Sequence, residues 1–164
     1  MTTTPSSARS HVPALRLVKT RITIPSASSP VPRPVGDSCT APADAVVALR
    51  HLIGDDATEC VMAVLLNTRN KIVGYHEVAR GTVNACRLTL RDVLIPALLA
   101  NAPALILGHN HPSGDPTPSQ ADRRLTTEVR SGCRLLGLTL LDHIVVTPTA
   151  HYSFQTSEGW SDLA

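Results

Sequence analysis

Two hydrophobic periods alternate along this chain from residue 42 onward, and their order predicts its elements. Residues 41–53 repeat apolar side chains at helical spacing, with Thr40 placed to cap, Pro42 suited to the first turn and Gly54 at the end. Residues 60–66 form an unbroken apolar run, which suits a strand buried on both faces. Asn67-Thr-Arg-Asn70 reads as a turn and residues 72–78 as the returning strand of a hairpin. Thr89 with Asp92 resembles a capping box opening a helix to about residue 100, in which Pro96 should cause a kink or leave a carbonyl unpaired. Residues 104–107 form a short buried strand. Residues 119–136 form an amphipathic helix with Leu125, Val129 and Cys133 on one stripe and Gly137 at its end. Residues 138–146 are strand material, Thr147-Pro-Thr149 turns, and 152–154 is a last short strand. The order α-β-β-α-β-α-β-β predicts an α/β (α+β) sandwich, one sheet flanked by helices.

Residues 1–41 differ. Seven of the thirteen prolines fall in the first 42 positions, with many Ser and Thr among them and no acidic residue before Asp37, while Arg9, Arg16, Lys19, Arg21 and Arg33 are basic. This composition predicts a disordered, solvated basic tail, with weak alternation over 15–24 as its only strand signal, and places the globular domain at 42–164. The 164 residues carry a net charge of +2, too balanced to argue for nucleic-acid binding by charge alone. Four aromatic residues (Tyr75, Tyr152, Phe154, Trp160) are too few for a base-stacking surface. Cys39, Cys60, Cys86 and Cys133 form no C-x-x-C pair and read as reduced thiols. No apolar leader and no run of about 20 apolar residues is present, so a soluble, cytoplasmic protein without membrane contact is expected.

Candidate chemistry concentrates in His109-Asn-His111-Pro-Ser-Gly-Asp-Pro-Thr-Pro-Ser119-Gln-Ala-Asp122. Alternation along a strand points His109 and His111 the same way, with Cα atoms about 7 Å apart. Asn110 points oppositely and can tie down a loop. The Pro/Gly segment turns the chain so that the first turn of the next helix returns to the imidazoles. Taken alone, Ser119-x-x-Asp122 is an N-cap with an acidic N3 residue. Taken together, two imidazoles and a carboxylate with room for a fourth ligand describe a catalytic zinc site, one ion per chain. The H-x-E and P-C-x-x-C elements of a zinc deaminase are absent from the sequence. Asp142-His143 could support the metal ligands from behind or be a satisfied core pair, and no sequence feature ties it to the metal, so the structural role is favoured. Gly81-Thr82 could present backbone N–H groups to a substrate but reads first as a turn, and His51, His76 and His151 read as surface or loop residues.

The whole segment resembles the zinc signature of JAMM (MPN-type) metalloproteases in the form carried by the RadC family. Glu59-Cys-Val-Met-Ala-Val-Leu-Leu-Asn67, Gly81-Thr82, Leu141-Asp-His-Ile144 and Tyr152-Ser-Phe154 are similar to RadC segments in the same order, so the resemblance covers about residues 42–164. It implies a mixed sheet with JAMM/MPN-like, cytidine-deaminase-like layering. It implies His109, His111 and Asp122 as zinc ligands, Glu59 as general base and Ser119 as oxyanion stabiliser, in a metallopeptidase or isopeptidase acting on a peptide or protein. Full-length RadC proteins carry a helix-hairpin-helix region where this chain has its Pro/Ser-rich tail. The alternatives are a DNA-associated accessory protein, using the tail and Arg123, Arg124, Arg130 and Arg134, and a metal-bearing binding module without turnover.

Overall fold

The computed structural model describes residues 38–81 and 88–159. The expected tail up to residue 37, its strand signal at 15–24, Thr82, Cys86 and Trp160 lie outside the described residues. The elements run α1 (Pro42–Ile53), β1 (Cys60–Leu66), β2 (Ile72–Arg80), α2 (Leu90–Leu99), β3 (Ala104–Asn110), α3 (Gln120–Leu135), β4 (Thr139–Val146), β5 (His151–Ser153) and α4 (Phe154–Glu158). The five strands form one mixed sheet in the order β2-β1-β3-β4-β5. β1 pairs antiparallel with both β2 and β3, β3 pairs parallel with β4, and β4 pairs antiparallel with β5. The α+β class expected from the element order is therefore the one observed.

Both faces of the sheet are covered, which is why β1 and β3 read as continuous apolar runs rather than alternating ones. Met62, Val64, Leu66, Ile106, Ile144 and Val146 pack with α1 on one face. Val61, Ala63, Leu65, Leu105 and Leu107 pack with Val93, Leu94 and Ala97 of α2 and Val129 and Cys133 of α3 on the other. At Gly108 a Cβ would lie 2.3 Å from Leu49 Cδ1, so α1 rests directly on the β3 backbone there. Cys39, Cys60 and Cys133 are buried free thiols, and burial pushes those of Cys60 and Cys133 up to about 11.

Several boundaries differ from those read in the sequence. Ala41, not Thr40, is the α1 N-cap, and Asp44 Oδ2 accepts the Thr40 and Ala41 N–H groups at 3.1 Å each. The preceding Cys39 is buried in the core, its N–H donating to the Asn70 carbonyl at 2.7 Å, so the packed unit starts before residue 42. β2 continues to Arg80 and β3 to Asn110, because sheet pairing carries both past the end of their apolar runs. The capping box at Thr89 and Asp92 is present, and α2 runs on through a buried Pro96 to Leu99. Phe154 is not the end of a strand. Ser153 Oγ accepts the Thr156 N–H at 3.0 Å and starts the short helix α4. Gly137, at φ 69°, closes α3 with the Leu138 N–H on the Cys133 carbonyl at 2.8 Å.

Candidate metal centre

The site forms where the carboxyl end of β3 meets the amino end of α3. His109 is the penultimate residue of β3 and is 1 % exposed. His111 lies just past the strand, where its N–H donates to the Val146 carbonyl at 3.0 Å. Its ring Nδ1 lies 2.8 Å from the Asp115 carbonyl oxygen. A carbonyl only accepts, so His111 carries a proton on Nδ1, and Nε2 is the nitrogen it can turn to a metal ion. Asp115 is held in turn by a turn of its own, in which Oδ1 accepts the Thr117 N–H at 2.9 Å. Ser119 caps α3 in a reciprocal box. Its Oγ accepts the Asp122 N–H at 3.2 Å, and Asp122 Oδ2 accepts the Ser119 N–H at 2.7 Å and its hydroxyl at 2.6 Å. The box fixes the carboxylate rotamer and leaves Oδ1 turned toward His109.

The three expected ligands are thereby brought together. The two Nε2 atoms are 3.0 Å apart, Asp122 Oδ1 lies 3.4 Å from His109 Nε2, and Asp122 Oδ2 lies 3.6 Å from His111 Nε2. With ligand bonds of 2.0–2.1 Å, the edge of a zinc tetrahedron is about 3.3 Å. The donor set and spacing fit that ion. Burial alone would raise the Asp122 carboxyl, but its contacts with His109, His111 and the Ser119 hydroxyl outweigh burial and hold it well below the usual carboxylate range. The same carboxylate raises the His111 imidazole against the effect of burial.

Glu59, immediately before β1, completes a group whose ligand atoms with those of His109, His111 and Asp122 all lie within 4.8 Å of one another. Its carbonyl accepts the Gly81 N–H at 2.9 Å. Burial raises its carboxyl above the ordinary value, opposed by the nearby His109. It faces an open cleft of about 270 Å³ whose walls include Val61, Ala79, Leu88, Leu125 and Arg124.

Residues 39–160 match the family described as RadC-like JAB domain. The chain belongs to this family. It is 43 % identical over 106 residues to a UPF0758 protein of Stenotrophomonas maltophilia (strain K279a), covering 65 % of this chain and 45 % of the relative. It is 47 % identical over 103 residues to a UPF0758 protein of Ruegeria pomeroyi, covering 63 % and 46 %. A UPF0758 protein of Vibrio cholerae is 39 % identical over 125 residues, covering 76 % and 78 %. The chain thus spans less than half the length of the first two relatives.

Two residues of this RadC-like domain bear on the site more directly than the roles favoured from sequence. His143, read as structural, lies fully buried with Nε2 2.9 Å from His109 Nδ1 and Nδ1 2.6 Å from Thr126 Oγ1. Phe154 stacks on its other side, with ring centroids 5.0 Å apart. A histidine inside the apolar run of β4 needs buried partners, and that was the available signal. Asn110 does tie down a loop, and that loop is the one carrying Glu59. Its Oδ1 accepts the Cys60 N–H at 2.7 Å, and its Nδ2 donates to the Asp56 and Thr58 carbonyls at 3.0 and 3.2 Å. Asp142, by contrast, is structural: it accepts from Ser153 Oγ at 2.6 Å and the Gln155 N–H at 3.0 Å, anchoring α4. Of the α3 arginines, Arg123 pairs with Glu158 and Arg124 lines the cleft. Among the described residues, no helix is long and apolar enough to cross a membrane.

Proposed function

We propose that this domain is a zinc-dependent hydrolase of the JAMM type, cleaving a peptide or isopeptide bond in a protein or peptide substrate. The observation that carries the reading is the convergence of one ligand atom from each of His109, His111, Asp122 and Glu59, all within 4.8 Å of one another, at the head of an open cleft. A zinc ion held by His109, His111 and Asp122 would supply Lewis acidity and make hydroxide accessible near neutral pH. Glu59 takes a proton from the attacking water and returns it to the leaving amine; its raised pKa moves it toward the range a general base needs. Ser119 Oγ stabilises the developing oxyanion by swinging its proton off Asp122 Oδ2, which retains the Ser119 N–H. The apolar walls of the cleft, Val61, Ala79, Leu88 and Leu125, suit an extended peptide better than a phosphodiester backbone, and Arg123 is engaged by Glu158.

The test is zinc quantification on purified protein together with a peptide and isopeptide cleavage screen. We expect about one zinc per chain, lost in His111→Ala and Asp122→Ala. Glu59→Gln keeps the metal and loses hydrolysis by about two to four orders of magnitude. A Glu59→Gln protein with wild-type turnover, or a wild type that binds no zinc, refutes the reading.

A further inference from the structure

We propose that Thr126 is a positioning residue that sets, through His143, which nitrogen of His109 is free to hold a metal ion; the inference rests on the metal-centre reading above. His109 has two arrangements open to it. Its Nε2 can carry a proton and donate to His111 Nε2, 3.0 Å away, or it can be bare, accepting from that nitrogen in the absence of metal and available as a ligand in its presence. The choice is made at the far side of the ring, and the geometry there points one way.

Thr126 Oγ1 lies 2.7 Å from the Asp122 carbonyl oxygen. Two oxygens at that distance need a proton between them, and the carbonyl has none, so the single hydroxyl proton of Thr126 is committed there. The same Oγ1 is 2.6 Å from His143 Nδ1, and with its proton in use it can only accept. His143 is therefore protonated on Nδ1 and bare on Nε2. Since His143 Nε2 is 2.9 Å from His109 Nδ1, His109 must donate from Nδ1, and its Nε2 is left bare toward His111 and Asp122. His143 is fully buried against the Phe154 ring, with no solvent to offer it another partner. A chain of three directed hydrogen bonds thus runs from His109 on β3 back to the main chain of Asp122 on α3. It ties two metal-binding residues from different elements to one proton arrangement.

Thr126→Val keeps the volume and removes the proton that sets the direction. His143 is then free to carry its proton on Nε2, which turns His109 into the form protonated toward the metal position. Two measurements decide the matter. Nitrogen-15 imidazole NMR, on zinc-free and zinc-loaded wild-type protein, should show His109 and His143 protonated on Nδ1 in both states. Competition with a chelator should show zinc affinity reduced about 10- to 100-fold in Thr126→Val and restored in Thr126→Ser. His143 protonated on Nε2 in the wild type, or wild-type zinc affinity in Thr126→Val, overturns the proposal. If Thr126→Val does not fold, the wild-type tautomers decide alone. If the wild type binds no zinc, the hydrolase reading fails, while the zinc-free spectrum still answers for the proton chain.

Discussion

Asn110 offers the sharpest test of how the loop carrying Glu59 is held. Its carboxamide is placed in one orientation only, because Oδ1 meets an N–H donor while Nδ2 meets two carbonyl acceptors. In Asn110→Ala the Cys60 N–H, buried at the start of β1, loses its acceptor, and leaving such a group unpaired costs about 1–3 kcal/mol. The Asp56 and Thr58 carbonyls belong to residues on the rim and regain water, so they add little. Lost packing of the buried side chain adds about 1 kcal/mol. Together these are about 2–4 kcal/mol, or about a 10 °C drop in melting temperature for a domain of this size. Asn110→Asp separates acceptor from donor. It can still accept from Cys60, but it sets a buried carboxylate against two carbonyl oxygens at 3.0 and 3.2 Å, so at neutral pH it should be less stable than Asn110→Ala. Thermal melts with chelator in every sample remove any stabilisation from bound metal. Both variants keep His109, His111 and Asp122 and should still take up zinc, while hydrolysis falls because Glu59 is no longer held from behind. An Asn110→Ala protein with wild-type melting temperature and activity refutes the reasoning, and a more stable Asn110→Asp shows that the acceptor alone matters.

Gly108→Ala drives a Cβ to within 2.3 Å of Leu49 Cδ1 and should cost about 1–3 kcal/mol by overpacking, read as a lower denaturation midpoint at unchanged slope. The His143 imidazole is held neutral by burial, with a pKa depressed well below 6.5, so below pH 6.5 the unfolded chain takes up a proton that the native state refuses. Its contribution is thus present above pH 6.5 and lost as the pH falls, by up to about 1.4 kcal/mol for each pH unit. In metal-free protein the stability gap between wild type and His143→Gln should therefore narrow from pH 6.5 to pH 5, and parallel profiles would contradict this.

What the sequence made legible follows from how local each feature is. His109, His111, Ser119 and Asp122 lie within fourteen positions, and strand alternation plus a capping box carry them to one point without any knowledge of the sheet. Glu59 is different. Without the family resemblance it is a loop carboxylate, because its place depends on the β1–β3 register, a pairing across almost fifty residues. His143 lies 34 positions from His109 and reaches it only through the parallel β3–β4 pairing, which leaves no periodic trace. The end of the fold was misread for a smaller reason. Tyr152 and Phe154 alternate like a strand, but Ser153 caps a helical turn that places Phe154 over His143.

The topology itself explains why the carboxylate of the site, Glu59, comes from ahead of β1. With helices on both faces, the middle of β3 is closed to water, so a reactive group on that strand can reach solvent only at its end. β1 runs antiparallel to β3, and its first residues therefore lie beside the last residues of β3. Val61 pairs with His109, so Glu59, two residues before Val61, leaves β1 at the end of the sheet where β3 delivers His109 and His111. Glu59 and the two imidazoles are thus brought to one end of the sheet by register, and the Asn110 carboxamide then fixes the loop that carries Glu59. A slip of one residue in that pairing would turn His109 toward α1, where Leu49 already touches the backbone of Gly108, and would leave Asp122 facing an asparagine. The apolar alternation that separates the α1 face from the α2–α3 face therefore also protects the site: each side chain of β1 and β3 that anchors the core resists the slip that would dismantle it.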